Sequence, residues 1–215
     1  MKTIKALPVA LIALLAFVVL PAAGASAHEW LIQNQKLEGP VSITGEQSLT
    51  LELLFTGLKI GCGTKTTGRV GVGNDASGEI ERIAGEAFPG PIPCHVENGG
   101  TSKATSVEIE PLGLPWKTSL VEGKYGAVNL EVSSKTLGWE IIENSPIKKS
   151  FVCKRGAEPM IGKGLQTYGH FVGEVYETHV GARYENEGLS CNSEVLIVEG
   201  SEFFTHRFGG YLSVT

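Results

Sequence analysis

Four cysteines are the residues best placed for covalent chemistry. Cys62, Cys94, Cys153 and Cys191 are separated by 32, 59 and 38 positions. Structural zinc usually takes cysteines in close pairs such as C-x2-C, because neighbouring ligands share one turn. These wide gaps offer no such pair, so zinc is not expected. An even cysteine count in an exported chain points instead to two disulfides. Four cysteines allow three pairings, and loop entropy does not choose among them. The entropic gain is logarithmic, about 3.7 kcal/mol for a 33-residue loop and about 4.6 kcal/mol for a 92-residue one. Proximity along the chain favours Cys62–Cys94 and Cys153–Cys191, each clamping a local β segment.

Histidine offers a second chemistry. If a leader is removed after Ala27, His28 becomes the first residue, and its α-amino group and imidazole can chelate one metal ion. A second histidine would complete a nitrogen-rich, near-planar site that suits Cu(II). The candidates are His95, His170, His179 and His206. That arrangement would make the chain an extracellular copper-dependent oxidase. Spacing selects none of the four, so the expectation is that His28 binds Cu(II) no better than any free histidine-first terminus, and no cofactor is assigned.

Other catalytic patterns are missing. No G-x-S-x-G elbow is present, and neither Ser190 nor Ser201 has the strand-turn-helix context of a nucleophile. Glycoside hydrolysis needs two carboxylates across a bond, and nothing in the spacing selects a pair from 22 glutamates and the single aspartate, Asp75. The lack of aspartate also argues against a calcium loop with Asp or Asn at alternate positions. Gly68-x-x-Gly71-x-Gly73 is followed by neither Lys-Ser/Thr nor a helix, so it is no phosphate loop. Trp30, Trp116 and Trp139 would make a sugar-stacking surface if exposed, but aromatics of this size are expected in the core. Tyr125, Tyr168, Tyr176 and Tyr184 are undecided by sequence.

The first 27 residues read as a secretory leader. Lys2 and Lys5 give a positive start, Leu7 to Leu20 is an apolar run, and Pro21 breaks it. Small residues follow, and Ala25-Ser26-Ala27 places cleavage before His28, with Ala23-Gly24-Ala25 as a competing site. The alternative is an uncleaved anchor, which needs about 20 apolar residues. No second run of spanning length follows, so a secreted product without a stable membrane anchor is expected.

Removing 27 residues from 215 leaves 188, enough for one domain with a sizeable core. Without Lys2 and Lys5 the net charge is −7. Lys148-Lys149 and Lys154-Arg155 are the only basic pairs and read as solvated loops. An acidic chain without a basic block is not expected to bind nucleic acid.

The elements that must position these residues are short and β-like. Ser48 to Phe55 alternates, with Leu49, Leu51, Leu53 and Phe55 on one face. Thr64 to Val72 and the segment around Ile80 and Ile83 form a plausible hairpin about the turn Gly73–Gly78. Phe88 to Pro93 is a proline-stiffened loop. Strands are expected around Val107 and Ile109, at Trp116 to Val121, Val128 to Val132 and Ile147 to Cys153, and at Val195 to Val198. Phe171 to Tyr184 reads as the longest β-like stretch, broken by Gly173 and Gly181, and Phe203 to Val214 as a last hairpin about Gly209-Gly210. No helical period runs for three turns after the leader. The expected architecture for residues 28–215 is a single all-β domain, a β-sandwich or a barrel.

The stretches Gly57–Cys62 (GLKIGC), Thr67–Gly71 (TGRVG), Cys94 and Leu114–Leu120 (LPWKTSL) resemble a family of uncharacterised secreted bacterial proteins. The resemblance covers about the middle half of the exported chain, and Leu-Pro-Trp-x-Thr-x-Leu is its most specific element. It implies export and β structure and no particular activity. The expected role is a non-catalytic binding or structural module outside the cell, with cell-wall glycan or a surface protein as partner. An extracellular enzyme, such as the copper oxidase above, is the alternative.

Overall fold

A computed structural model describes residues 28–71, 76–85, 90–145, 149–172, 175–206 and 212–215. Residues 1–27, Gly73 to Asp75, Phe88 and Pro89, Lys148 and the Gly209-Gly210 pair lie outside the described residues. So does the side chain of His170.

Among the described residues fifteen strands run in order. They begin with β1 (Trp30–Ile32), β2 (Gln35–Lys36), β3 (Val41–Leu53), β4 (Leu58–Val70) and β5 (Gly78–Ala84). Then come β6 (Ile92–Asn98), β7 (Ser106–Leu112), β8 (Trp116–Glu122), β9 (Val128–Ser133) and β10 (Gly138–Asn144). The last are β11 (Lys149–Lys154), β12 (Met160–Val172), β13 (Val175–Ser190), β14 (Val195–His206) and β15 (Leu212–Val214). Among the described residues there is no α-helix, and no helix is long and apolar enough to cross a membrane. The all-β expectation holds.

The pairings resolve the architecture into two closed rings that share four long strands. The shared quartet has the order β4-β3-β14-β13. One ring closes through β5, β8, β9 and β12, because β4 pairs β5 and β12 pairs β13. The other closes through β6, β7, β10 and β11, because β4 also pairs β6 and β11 pairs β13. Every pairing is antiparallel. Strand β4 changes partner along its length: Lys59 to Gly61 face β6, and Lys65 to Val70 face β5. Closing each ring gives every strand in it a neighbour on both sides over at least part of its length, which reduces exposed ladder groups.

The periodicity of two explains which residues fill the rings. In β3, Ile43, Gly45, Gln47, Leu49, Leu51 and Leu53 are buried, while Glu46 and Ser48 are exposed. In β4, Leu58, Ile60, Cys62, Thr64, Thr66 and Val70 are buried. A second, three-stranded sheet, β15-β1-β2, packs on the first ring: Trp30 meets Phe204 edge-on at 6.4 Å, and Thr178 Oγ1 accepts from the Leu212 amide.

Both disulfides form with the pairing that chain proximity favours, Cys62–Cys94 at 2.02 Å and Cys153–Cys191 at 1.99 Å. Their placement supplies a physical reason. Strand β6 attaches to β4 through the short register Lys59 to Gly61, and β11 attaches to β13 through the single pair Lys154↔Ser190. Cys62–Cys94 spans the first of these seams and Cys153–Cys191 the second. The strands β6-β7-β10-β11 are thus stapled to the quartet at both of their edges.

The chain crosses between rings at Gly113–Pro115 and at Ser134–Leu137, and the Leu-Pro-Trp-x-Thr-x-Leu segment makes the first crossing. The Leu114–Pro115 bond is cis. Trp116 donates from Nε1 to the Leu112 carbonyl at 2.7 Å and meets Trp139 edge-to-face at 5.4 Å. Ser134 Oγ donates to the Gly113 carbonyl at 2.7 Å.

Three expectations need correction. Phe55 is not the last inward residue of its strand, because β3 ends at Leu53 and Phe55 lies exposed in the turn. The segment Phe171 to Tyr184 divides between Val172 and Val175, but not at Gly181, which lies inside β13. It contains the end of β12 and the start of β13, paired through Val172↔Val175. Phe203 to Val214 does not fold on itself either: β14 stays in the quartet, and β15 pairs β1 through Trp30↔Val214.

Candidate functional site

Packed interiors direct attention to the outer face of the quartet. There Tyr168 of β12 and Phe203 of β14 form an edge-to-face pair at 6.0 Å, with 48% and 39% of their surfaces exposed. Gly181 of β13 lies beneath them. A Cβ at that position would stand 2.7 Å from the Phe203 ring and 3.1 Å from the Tyr168 ring, so the missing side chain lets both rings lie against the sheet. Around the pair is a groove of about 830 Å³, whose rim is Thr44 and Glu46 of β3, Lys65 and Thr67 of β4, His179 of β13 and Thr205 of β14.

The register continues this groove into a second one. Phe203 faces Glu46, and one step along the same face Ser201 faces Ser48 and Arg183. Ser48, Thr50, Arg183, Glu185, Glu199 and Ser201 line an adjoining depression of about 620 Å³. At about 3.3 Å per residue, Thr44 to Thr50 spans roughly 20 Å. Arg183 Nε and Lys163 Nζ lie 3.5 and 3.4 Å from the Glu185 carboxylate. The strip thus has an aromatic end and a hydroxyl-rich, charged end.

Beneath the strip, inside the quartet, is a second polar group. Glu202 is fully buried, and Tyr184 Oη donates to its Oε2 at 2.9 Å. Thr64 Oγ1 donates to Gln47 Oε1 at 2.9 Å beside them. Burial raises Glu202 to about 7, opposed by hydrogen bonding from Tyr184 and by weaker contacts with Gln47 and Thr66. Tyr184 is itself pushed well above the usual phenol range, by burial first and by the neighbouring Glu202 second. Glu202 Oε1 has no well-aligned hydrogen bond. No substrate reaches this carboxyl, so we read it as part of the core.

The other sequence candidates separate in space. His28 uses Nδ1 in a 3.0 Å hydrogen bond with the Thr215 carbonyl. A chelate with the α-amino group would need that same nitrogen. His95 lies on β6 over Gly61, 3.6 Å from Glu97, and His179 lines the aromatic groove. His206 ends β14 opposite Ile43. Among the described residues no group of three or more His, Cys, Asp or Glu is arranged to hold a metal. Trp30, Trp116 and Trp139 are all buried, so none stacks on a ligand. Among the tyrosines, Tyr184 is core, Tyr125 is fully exposed in the β8–β9 turn and Tyr168 is in the groove. Lys149, Lys154 and Arg155 form no basic patch, since Arg155 turns inward to the Gly188 carbonyl and Glu187.

Phe203 is the site residue that sequence reading missed. Phe203-Phe204 are adjacent in a strand, so one ring must face out while the other faces in. That adjacency, together with Gly181, was the available signal. A comparison with protein families, curated proteins and solved structures finds no match for the chain.

Proposed function

We propose that this protein is an exported, non-catalytic binding module that engages a macromolecule of the cell surface, a wall glycan or a surface protein, through the outer face of the quartet. The observation that carries the reading is the exposed Tyr168–Phe203 pair seated over Gly181. Two aromatic rings left half open to water on a sheet face, ringed by donors and acceptors, is the pattern of a ligand surface. The two disulfides suit an oxidising compartment outside the cytosol, and the leader-like start of the sequence gives the route there.

The test is co-sedimentation of the mature protein with cell-wall and surface-protein fractions, beside Tyr168→Ala/Phe203→Ala. Wild type is expected to co-sediment and the double variant to lose at least ten-fold in binding while keeping its Tm. Equal binding by both proteins refutes the site.

A further inference from the structure

We propose that the quartet face binds an extended, uncharged polysaccharide laid along β3 and β14 from the Tyr168–Phe203 pair to the Arg183 end. This deepens the binding-module reading and rests on it.

The charge balance of the strip is the first argument. Glu46, Glu185 and Glu199 supply three negative charges, and Lys65, Lys163 and Arg183 supply three positive ones. The two signs interleave, and Glu185 is shared by two cations. A surface of this kind attracts neither a polyanion nor a polycation, because no net field of one sign develops over it. An uncharged ligand fits it best.

Backbone pairing is the second argument. An extended peptide gains most of its affinity on a sheet by adding a strand to a free edge. The strip runs along β3 and β14, which are hydrogen-bonded on both sides, so no strand edge is offered along it. A ligand here must be held by side chains alone.

The third argument is the division of labour along the strip. A sugar ring has an apolar C–H face bordered by hydroxyls that both donate and accept. The aromatic pair matches the apolar face. Ser48, Ser201, Thr50 and Glu199 match the hydroxyls, since Ser and Thr donate and accept while carboxylates accept. Two half-exposed rings are too small a surface for a lipid chain, and the strip extends well beyond a single sugar.

Isothermal titration of the mature protein tests the proposal. The probes are neutral hexasaccharides built from glucose, xylose, mannose and N-acetylglucosamine, the disaccharide of each, and polygalacturonate as the anionic polymer. At least one hexasaccharide is expected to bind ten-fold or more tighter than its disaccharide, with affinity little changed between 50 and 500 mM salt, since screening matters only for charged partners. Tyr168→Ala should lose binding of both lengths, whereas Arg183→Ala should weaken the hexasaccharide alone. Preferred, salt-sensitive binding of polygalacturonate overturns the uncharged assignment, and equal affinity for two and six units overturns the extended one. If no hexasaccharide binds but Tyr168→Ala/Phe203→Ala still abolishes co-sedimentation with a surface-protein fraction, the glycan proposal fails and the binding-module reading survives. If that variant changes neither assay, both fail.

Discussion

Replacing Glu202 by glutamine removes the carboxyl proton held at the centre of the quartet while keeping the shape of the side chain. In the folded protein burial raises this carboxyl from its ordinary 4.5 to about 7. The folded state therefore binds the proton more tightly than the unfolded chain does. Below pH 4.5 both states are protonated and the favourable, neutral form is fully present. Between pH 4.5 and about 7 the folded state holds more protons than the unfolded one, so stability falls as pH rises. The loss is complete above pH 7. A difference of about 2.5 units at 1.36 kcal/mol each gives roughly 3 kcal/mol. That is a large share of the 5–15 kcal/mol that typically holds a domain together.

Glutamine carries no charge at any pH and its amide oxygen still accepts from Tyr184 Oη. The variant is expected to match wild type within about 1 kcal/mol at pH 4 and to exceed it by about 3 kcal/mol at pH 8. Urea unfolding at closely spaced pH values from 4 to 8 measures both. Glu187 is also raised, by burial first with Arg155 opposing, but it is common to both proteins and cancels in the difference. Parallel pH profiles for the two proteins, or a variant less stable than wild type at pH 8, would refute the assignment of a neutral buried carboxyl.

Two further outcomes follow from the packing. Substituting Cys153 and Cys191 together by alanine should cost about 2–5 kcal/mol, and hydrogen exchange should show early loss of protection in β10 and β11 while β3 and β14 stay protected. Uniform loss across the molecule would contradict the seam role of this bond. Trp116→Ala should cost about 3–5 kcal/mol by thermal unfolding, because it deletes a buried ring packed edge-to-face against Trp139 and a hydrogen bond to the Leu112 carbonyl; a cost below 1 kcal/mol would place the junction outside the core.

Local rules carried the reading of this fold as far as local rules reach. Leu49, Leu51 and Leu53 alternate because one side of β3 faces the ring interior, and that period is visible in the sequence. Strand β12 was not visible, since Gly162, Gly164 and Gly169 dilute its pattern. Its pairing with β13 from Lys163↔Arg183 to Val172↔Val175 supplies what propensity lacks. The chain also gives no sign that β4 serves two partners, because β6 must come back past the adjacent β5 to pair Lys59 to Gly61. The disulfide pairing was legible, though proximity was only a proxy: the bonds sit at the two seams where the second ring joins the quartet. The groove was illegible for a related reason. Tyr168, Glu46 and Arg183 lie far apart in sequence and meet only through register.

Closure of both rings decides where function can reside. A barrel interior lined by Leu51, Ile60, Ile109, Ile141 and Val198, each at or near zero exposure, leaves no space for a ligand. Closure also leaves β3 and β14, at the centre of the quartet, no free edge on which a partner strand would add. What remains is the outside of the sheet, which is ordinarily polar and uniform. On the quartet face it is neither: aromatic rings lie over Gly181, and one step away Gly200, at φ 152°, brings β14 so close to β3 that a Cβ there would stand 2.1 Å from the Ser48 carbonyl. These two glycines shape the groove from below, by what they leave out, so the fold builds its recognition surface with backbone and spends its large side chains on the core and on one exposed pair.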